Sequence, residues 1–280
     1  MTADPAPSAI MVCGAGHSGS TLLGFLLGGC RGAFYIGEGA KIRYLHDPAK
    51  PLRKRACKMC GEDCPVWSRF SWEQTAPLYP QIAALTGART IVDTTKNPKW
   101  IGARAREQAS LQARASLILL QRDGRAVVNS RLRKYPERDP ETQIQAWVEQ
   151  MQRSQVLYDA FDGPKLMLRY EELASEPEST ARRLCDFAEL DYDPAMLRFH
   201  EREHHPLGGN NGTQYLAAQG TAKAAGAPVA ELNARSRDYY AAHAPEIRLD
   251  LRWRTEMKPE HAALFARMAG EFNAPMAWDA

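Results

Sequence analysis

The sequence lacks any long apolar run and any large excess of one charge. No stretch approaches the roughly 18 apolar residues that a membrane-spanning helix needs, and the N-terminus has no basic segment followed by an apolar core of the kind that directs export. The 36 Lys and Arg residues nearly balance the 33 Asp and Glu residues, so a nucleic-acid partner is not expected. We therefore expect a cytoplasmic protein with no membrane span, and the composition leaves its oligomeric state open.

Internal repeats and interdomain linkers are also missing. The chain has 280 residues, of which 44% are hydrophobic and 25% charged, values that suit a globular protein with a sizeable core. Short apolar segments alternate with helical stretches, which predicts a single α/β domain over residues 1–280 with a parallel sheet flanked by helices. Ligands in such domains bind at the carboxyl ends of the strands. The predicted strands are residues 9–13, 90–93, 116–121 and 165–168.

A glycine-rich turn between the first predicted strand and a helix is the most informative feature present. Gly14 and Gly19 frame the turn, and Thr21 follows at the start of the helix. This spacing nearly meets the nucleotide-triphosphate loop pattern, in which backbone N–H groups and a helix N-terminus face a phosphate. Ser20 stands where that pattern has its lysine. The turn therefore predicts that the protein binds the phosphate of a nucleotide without transferring it.

A second candidate anion site follows the predicted strand at 116–121. Arg122 lies at the strand end, and Ser130 lies about two turns into the next helix. An arginine and a hydroxyl in this arrangement can hold a second phosphate. The alternative is that Arg122 only pairs with Asp123 or with another carboxylate at the sheet edge.

The two sites together resemble the sulfotransferase family that uses 3′-phosphoadenosine 5′-phosphosulfate (PAPS), in its bacterial form with a P-loop-like fold. The turn at 14–23 resembles the family's 5′-phosphosulfate loop, and Arg122 to Ser130 resembles its R-D-x-R-A-V-x-S segment for the 3′-phosphate. Further matches in the same order are D-T-T-K-N-P at 93–98, R-Y-E-E-L at 169–173, L-G-G-N at 207–210 and R-W at 252–253.

The resemblance implies the nucleotide ligands residue by residue. The 5′ side of PAPS would be bound by Gly16, His17, Ser18, Gly19, Ser20 and Thr21. The 3′-phosphate would be bound by Arg122 and Ser130. Position 17 departs from many relatives, which have Lys or Arg there to stabilise the bridging oxygen of the leaving phosphate. Histidine can donate one hydrogen bond when neutral and supplies charge only when protonated.

Three residues are the catalytic candidates, namely Glu38, His17 and Lys96. Glu38 lies in an I-G-E-G segment whose glycines let the backbone approach a ligand, and the resemblance implies that it is the general base. The alternative is that it pairs with Lys41 or Arg43 on an exposed face. Lys96 would contact the sulfonate and the bridging oxygen, unless it is a surface lysine. No catalytic metal is expected, because these cations and backbone N–H groups can stabilise the transferring group.

The acceptor, whether a small molecule, a glycan or a peptide, would be bound by two variable segments. One is a cysteine-bearing insertion at about 41–75. The other is a long loop predicted over about 201–230, where the periodic pattern fails. The adjacent histidines His204 and His205 either contact the acceptor or lie in a solvated part of this loop.

Three cysteines in the insertion have spacing that permits a zinc site. Cys57, Cys60 and Cys64 form C-x2-C-x3-C, and a fourth ligand would come from elsewhere, such as His46 or Cys30. No second C-x2-C is present. Structural zinc, a disulfide or redox pair and free thiols all fit the spacing, and free thiols are favoured.

Two other functions compete with sulfuryl transfer. A small-molecule kinase would need the missing lysine and an acidic Mg²⁺ ligand, for which Asp93 is the candidate but is interpreted instead as a loop-bracing residue. A nucleotide-binding protein without catalysis would fit His17, although Glu38 and Lys96 argue against it.

Overall fold

The computed structural model describes residues 5–221, 232 and 245–279. Its centre is a five-stranded sheet in which all neighbouring strands are parallel, in the order β2-β3-β1-β4-β5. The predicted α/β class with a P-loop-like parallel sheet is therefore confirmed. The strands are β1 Ser8–Gly14, β2 Ala33–Gly37, β3 Thr90–Asp93, β4 Ala115–Gln121 and β5 Lys165–Arg169.

The second strand is the one that the sequence pattern did not predict. β2 has only five residues and ends in Gly37, whose φ of +80° is in the left-handed region. The strand pairs with β3 and places Glu38 directly after the sheet edge. The chain around Glu38 is thus the end of a strand, like the chain around the other candidate residues.

Helices follow the strands and cover both faces of the sheet. Several begin where a proline or a capping side chain favours a helix start, as at Asp123 and Asn97, whose carboxylate and amide oxygens accept backbone N–H bonds. The helices are α1 Ser20–Gly28, α2 Leu52–Arg55, α3 Leu78–Thr86, α4 Pro98–Ser110, α5 Gly124–Lys134, α6 Pro140–Asp159, α7 Tyr170–Ser175, α8 Pro177–Ala188, α9 Asn211–Thr221, α10 Trp253–Glu256 and α11 Pro259–Asn273. Short 3-10 turns cover Gly39–Tyr44, Trp67–Arg69, Pro194–Leu197, Phe199–Glu201 and Ala274–Met276.

The core has one layer on each face of the sheet. Side chains of α1, α7 and α8 pack on one face, together with alternate residues of β1 and β4. The opposite face packs against α5, α6 and α11, with Trp147 fully buried at its centre. Because the central strands are covered on both faces, β1 and β4 are continuously apolar rather than alternating.

Helix α1 lies unusually close to β2. A Cβ atom added at Gly24 would lie 2.3 Å from the ring of Tyr35, and one added at Gly28 would lie 2.4 Å from the Cβ of the same tyrosine. Two glycines one turn apart thus form a flat strip on which Tyr35 packs. This contact sets the spacing between the helix after the glycine turn and the strand before Glu38.

The long loop predicted over about 201–230 is in part a helix. Helix α9 begins at Asn211, and the Asn210 side chain accepts a hydrogen bond from the Thr213 backbone N–H at 3.0 Å. Ala217 of this helix is fully buried in the core. The sequence pattern did not predict α9 because the segment contains Gly and Asn, which are weak helix formers; tertiary packing stabilises the helix instead. Residues 222–230 of the predicted loop lie outside the described residues.

The insertion at 41–75 has little regular structure apart from α2 and two 3-10 turns. It packs beside β2 and α3 around the buried Trp67, whose indole N–H donates to the His205 backbone carbonyl.

No helix among the described residues is both long and apolar enough to cross a membrane.

Candidate functional site

The glycine turn after β1 depends on glycine at both ends. Gly14 has φ +130°, and an added Cβ would lie 2.3 Å from the Leu120 carbonyl oxygen. Gly19 has φ +90°, and its added Cβ would lie 2.5 Å from the Tyr170 ring. Only glycine suits such positions without strain. His17 also has a positive φ, +74°.

Helices α5 and α6 support this turn from behind. The Gly14 N–H donates to the Ser154 hydroxyl at 3.1 Å, and the Gly16 N–H donates to the Gln150 amide oxygen at 3.2 Å. Arg131, itself buried, donates to the same Gln150 oxygen at 2.6 Å. Burial lowers the pKa of Arg131 to about 10, with Arg138 contributing, so it stays charged at neutral pH. The turn is therefore fixed before any ligand binds.

A cavity of about 340 Å³ lies in front of the turn, at the carboxyl ends of the strands. It brings together nearly all of the candidate residues predicted from the sequence. Those that line it are Gly16, His17, Gly19, Ser20, Thr21, Glu38, Lys96, Arg122 and Ser130.

Ser18 is the candidate that does not line this cavity. Its side chain is buried, and its hydroxyl has no hydrogen-bond partner among the residues that the structure describes. A buried hydroxyl without a partner is costly. Ser18 remains a predicted nucleotide ligand.

His17 and Ser130, predicted for opposite ends of one nucleotide, contact each other directly. The His17 Nδ1 and the Ser130 Oγ are 2.9 Å apart. Burial, with the positive charges of Lys134, Arg131, Arg122 and Lys96, lowers the pKa of His17 to about 3. The imidazole is therefore neutral at physiological pH and offers hydrogen bonds rather than charge.

Glu38 lies between two lysines at the edge of the cavity. Its Oε1 is 3.7 Å from the Lys96 Nζ, and its Oε2 is 3.8 Å from the Lys41 Nζ. The expected pairing with Lys41 therefore exists, but Glu38 and Lys96 also line the same cavity. Lys96 donates to the Thr94 carbonyl at 3.0 Å, which holds its ammonium beside the carboxylate.

Asp93 stabilises the surrounding loops through hydrogen bonds, which agrees with its interpretation from the sequence as a loop-bracing residue. Its Oδ1 accepts from the backbone N–H groups of Gly39 at 3.0 Å and Thr95 at 2.8 Å. Its Oδ2 accepts from the Tyr79 hydroxyl at 3.1 Å and the Trp100 indole at 2.8 Å. Both oxygens of this buried carboxylate are thus occupied in fixing the chain next to Glu38.

The alternative expected for Arg122 was an ion pair with Asp123 or with another carboxylate at the sheet edge; it pairs not with Asp123 but with another carboxylate, Asp250. Its guanidinium donates to the His17 carbonyl at 3.0 Å and lies 3.3 Å from the Asp250 carboxylate. It also stacks on the Tyr170 ring, 4.2 Å from the centroid. Asp123 instead binds Arg125, which stacks on Trp253 away from the cavity.

A group of charged residues to which the sequence reasoning gave no role also lines the cavity. Although burial alone would raise it, the pKa of Asp250 is held well below its usual range by a hydrogen bond from Arg252 and the charges of Arg122 and Arg252. Arg248, Asp250 and Arg252 alternate in the sequence, a pattern that could have signalled one charged face. Lys134 lies one turn beyond Ser130 on α5 and also lines the cavity.

The two histidines at 204–205 are buried, so the prediction of a solvated loop is wrong. His204 packs on Phe25 with 4.5 Å between ring centroids, and its Nε2 lies 2.8 Å from the Phe199 carbonyl. Neither histidine lines the cavity. His205 instead joins the three cysteines of the insertion, since its Nδ1 lies 3.3 Å from the Sγ atoms of both Cys60 and Cys64.

The fourth member of the cysteine cluster is therefore neither His46 nor Cys30. His46 contacts the Phe70 carbonyl, and Cys30 lies beside Cys185 in another part of the core. His205 was missed because it follows Cys64 by 141 residues, and nothing in the local spacing indicates this contact.

Comparison with known proteins gives the same family. A candidate protein-tyrosine sulfotransferase of Caenorhabditis briggsae is 27% identical over 97 residues, which are 32% of this chain and 35% of that protein. The sulfotransferase domain from the curacin biosynthetic pathway superposes with a TM-score of 0.59 at 19% identity, covering 96% of this chain and 98% of that one. Mouse sulfotransferase SULT7A1 in complex with PAP superposes with a TM-score of 0.50 at 9% identity, covering 96% and 88%. These structures show a shared fold. The profile of the sulfotransferase family matches residues 7–194, which is most of the chain, and the protein therefore belongs to the sulfotransferase family.

Proposed function

We propose that this protein transfers the sulfuryl group of PAPS to a hydroxyl or amine of an acceptor. The observation that carries the proposal is the shared cavity, which is lined by the glycine turn, by Arg122 and Ser130, and by Glu38 with Lys96. Two anion-binding groups and a carboxylate next to an ammonium are thus combined at one site. PAPS supplies the activated sulfuryl group when it is bound.

The chain's own residues suit the two ends of this nucleotide. The N-terminus of α1 and the N–H groups of residues 16–21 favour the 5′-phosphosulfate. Arg122 lies beside the glycine turn, since its guanidinium donates to the His17 carbonyl, and from there it would favour the 3′-phosphate. Lys134 and Ser130 lie on the helix that follows.

Glu38 is the proposed general base. Its carboxylate lies at the mouth of the cavity on a backbone fixed by Asp93 and Leu207, whose carbonyl accepts the Glu38 N–H. The ammonium groups of Lys41 and Lys96 lie 3.8 Å and 3.7 Å from its two oxygens, and the carboxylate would accept the proton of the attacking acceptor group.

Lys96 supplies the positive charge that a lysine or arginine at position 17 would otherwise provide. His17 is neutral and can only donate or accept a hydrogen bond. The Lys96 ammonium lies against Glu38 and would stabilise the charge that develops on the transferring group. His17 then fixes Ser130 through the 2.9 Å contact.

The acceptor remains a small molecule, a glycan or a peptide. The nematode relative, by its name, acts on protein tyrosine, which makes a peptide phenol a first choice for an acceptor screen. The insertion at 41–75 adjoins the mouth of the cavity through Lys41.

The kinase alternative finds no support at the expected metal position. Asp93 uses both oxygens for four protein hydrogen bonds, so it is poorly placed to bind Mg²⁺. Transfer measured with and without added Mg²⁺ separates the two activities. A nucleotide-binding protein without turnover would bind PAP and transfer nothing.

The decisive experiment combines a labelled donor with the variant Glu38→Gln. Wild-type protein should transfer label from PAPS to at least one acceptor of a panel of phenols, sugars and tyrosine peptides. The variant should lose about 10²–10⁴-fold in kcat, because the amide cannot accept the proton. Its affinity for PAP, measured by calorimetry, should stay within a few fold.

The conservative variant Glu62→Gln is the matched control, since this glutamate pairs with Arg55 in the insertion and does not line the cavity. It should leave transfer unchanged. Equal loss of transfer and PAP affinity in Glu38→Gln would contradict the assignment of Glu38 as the base.

A further inference from the structure

The cluster of Cys57, Cys60, Cys64 and His205 plays no part in the proposed chemistry, yet its geometry is that of a metal site. Each residue offers one ligand atom, and these atoms all lie within 4.8 Å of one another. In a tetrahedral zinc site with Zn–S of about 2.3 Å and Zn–N of about 2.1 Å, neighbouring ligand atoms lie roughly 3.5–3.8 Å apart. The two measured S···N distances of 3.3 Å are close to that edge length.

The backbone around the cluster is arranged as it is around thiolate ligands. The Met59 N–H points at the Cys57 Sγ at 3.4 Å, and the Gly61 N–H donates to the Cys57 carbonyl at 3.1 Å. Gly61 has a φ of +78°, so the turn after Cys60 closes in a conformation that favours glycine. A C-x2-C-G turn of this kind presents both sulfurs to the same point.

The histidine is oriented by a carboxylate. The His205 Nε2 lies 3.0 Å from the Glu203 Oε1, which leaves the Nδ1 as the free ring nitrogen that faces the sulfurs. Metal-binding histidines commonly donate their other ring N–H to a carboxylate in this way. Trp67 and Lys58 fix the same segment by donating to the backbone carbonyls of His205 and Pro206.

Four protein ligands in a buried position make a closed, structural site rather than a catalytic one. Cys57 and Cys64 are fully buried, and His205 is 6% exposed. A disulfide would join only two of the three sulfurs and would leave the third beside an unused histidine. The insertion has little regular structure to stabilise it, a situation in which small protein regions commonly rely on a metal or a cross-link.

We propose that Cys57, Cys60, Cys64 and His205 bind one Zn²⁺ ion, which ties the insertion at 41–75 to the segment at 204–210. Leu207 in that segment pairs with the chain on both sides of Gly37: its N–H donates to the Ile36 carbonyl at 2.9 Å, and its carbonyl accepts the Glu38 N–H at 2.6 Å. Asn210 donates its N–H to the Thr21 hydroxyl at 2.8 Å. The ion would thus stabilise the junction of three chain segments.

The test measures metal directly. The full chain, expressed in zinc-supplemented medium and purified without chelators, should contain about one zinc ion per chain by plasma mass spectrometry. Cys60→Ser and His205→Gln should each lose most of this zinc and lower the melting temperature. Cys185→Ser is the matched control, because Cys185 is a buried thiol outside the cluster, 3.8 Å from Cys30, and should keep the full zinc content.

A second measurement keeps the proposal testable if the ligand variants do not fold. Wild-type protein with zinc exchanged for Co²⁺ should show thiolate-to-cobalt charge-transfer bands and the visible bands of tetrahedral cobalt. Wild-type protein without bound zinc would overturn the proposal, whether its cysteines react as free thiols or its mass is lower by two hydrogens. Zinc retained in full by Cys60→Ser would overturn the ligand set.

Discussion

Two arginines three residues apart at the end of β4 have different environments. Arg122 lines the cavity and faces Asp250, whereas Arg125 binds Asp123 and stacks on Trp253. The sequence motif contains both, and only the structure separates them. They therefore form a natural pair of variants for testing the 3′-phosphate site.

Arg122→Ala should weaken PAP much more than adenosine 5′-phosphate, by roughly 10–100-fold, because a charge-assisted contact to the 3′-phosphate is lost. Arg125→Ala should change the affinity for the two nucleotides equally, if at all. Calorimetric titration of each variant with both nucleotides checks this. Equal weakening of both ligands by Arg122→Ala would remove it from the 3′ site.

The neutral His17 makes stability depend on pH. Its folded pKa of about 3 is below the ordinary 6.5, so the folded protein binds fewer protons than the unfolded chain between these values. The stability that comes from the neutral His17 is fully present above pH 6.5, the ordinary pKa of histidine, and is lost as the pH falls from there towards the folded pKa of about 3. Between about pH 6.5 and about pH 5, protonation in the unfolded chain should cost about 2 kcal/mol.

His17→Asn should remove this part of the pH dependence, since asparagine tolerates a positive φ and does not titrate. Urea unfolding of wild type and variant at the two pH values gives the change in unfolding free energy for each. The difference between the two changes belongs to His17, because the carboxylates titrate in both proteins. Parallel pH profiles for wild type and variant would show that His17 is not held neutral in the fold.

At the scale of single elements, the glycine turn allows a matched comparison. Gly19 has φ +90° and lies against Tyr170, whereas an added Cβ at Gly16 meets nothing within 4 Å. Gly19→Ala should lower the free energy of unfolding by about 2–4 kcal/mol. Gly16→Ala should change it by less than about 0.5 kcal/mol. Urea unfolding distinguishes them, and similar losses for both would contradict the strain argument.

Sequence reasoning predicted four of the five strands, including β3, which has only four residues. β1 and β4 are continuously apolar, so pattern alone was enough. β2 and α9 were missed because β2 leads into the glycines around Glu38 and α9 is rich in Gly and Asn, and because both are stabilised by distant parts of the chain. Tyr35 packs on Gly24 of α1, and Ala217 packs in the main core.

At the scale of the whole molecule, the cavity combines parts that are far apart in sequence. Residues 16–22 lie near the start of the chain, and Glu246, Arg248, Asp250 and Arg252 lie near its end. The N-terminal candidates could be predicted because each sits in a motif at a strand end. The C-terminal ones were given no role, because their segment has no strand among the described residues. Tyr170, which contacts the Arg248 carbonyl and the Asp250 N–H, and Arg122, which contacts Asp250, fix this segment beside the cavity.

Nucleotide binding should therefore protect both ends of the chain at once. PAP at about one hundred times its Kd should raise the free energy of unfolding by about 2.7 kcal/mol. Hydrogen exchange followed by mass spectrometry should show slower exchange in residues 16–22 and in residues 246–252. Protection confined to the N-terminal segment would mean that the C-terminal charges do not contact the ligand.

The glycine strip of α1 under Tyr35 has a consequence for the choice of acceptor. The helix carries the donor side of the site at its beginning, and the strand it touches carries Glu38 at its end. Bulkier residues at Gly24 or Gly28 would push these elements apart and lengthen the gap that a nucleophile must bridge. The two glycines thus set the distance between the start of α1 and Glu38, which a donor and an acceptor would have to span in the proposed reaction.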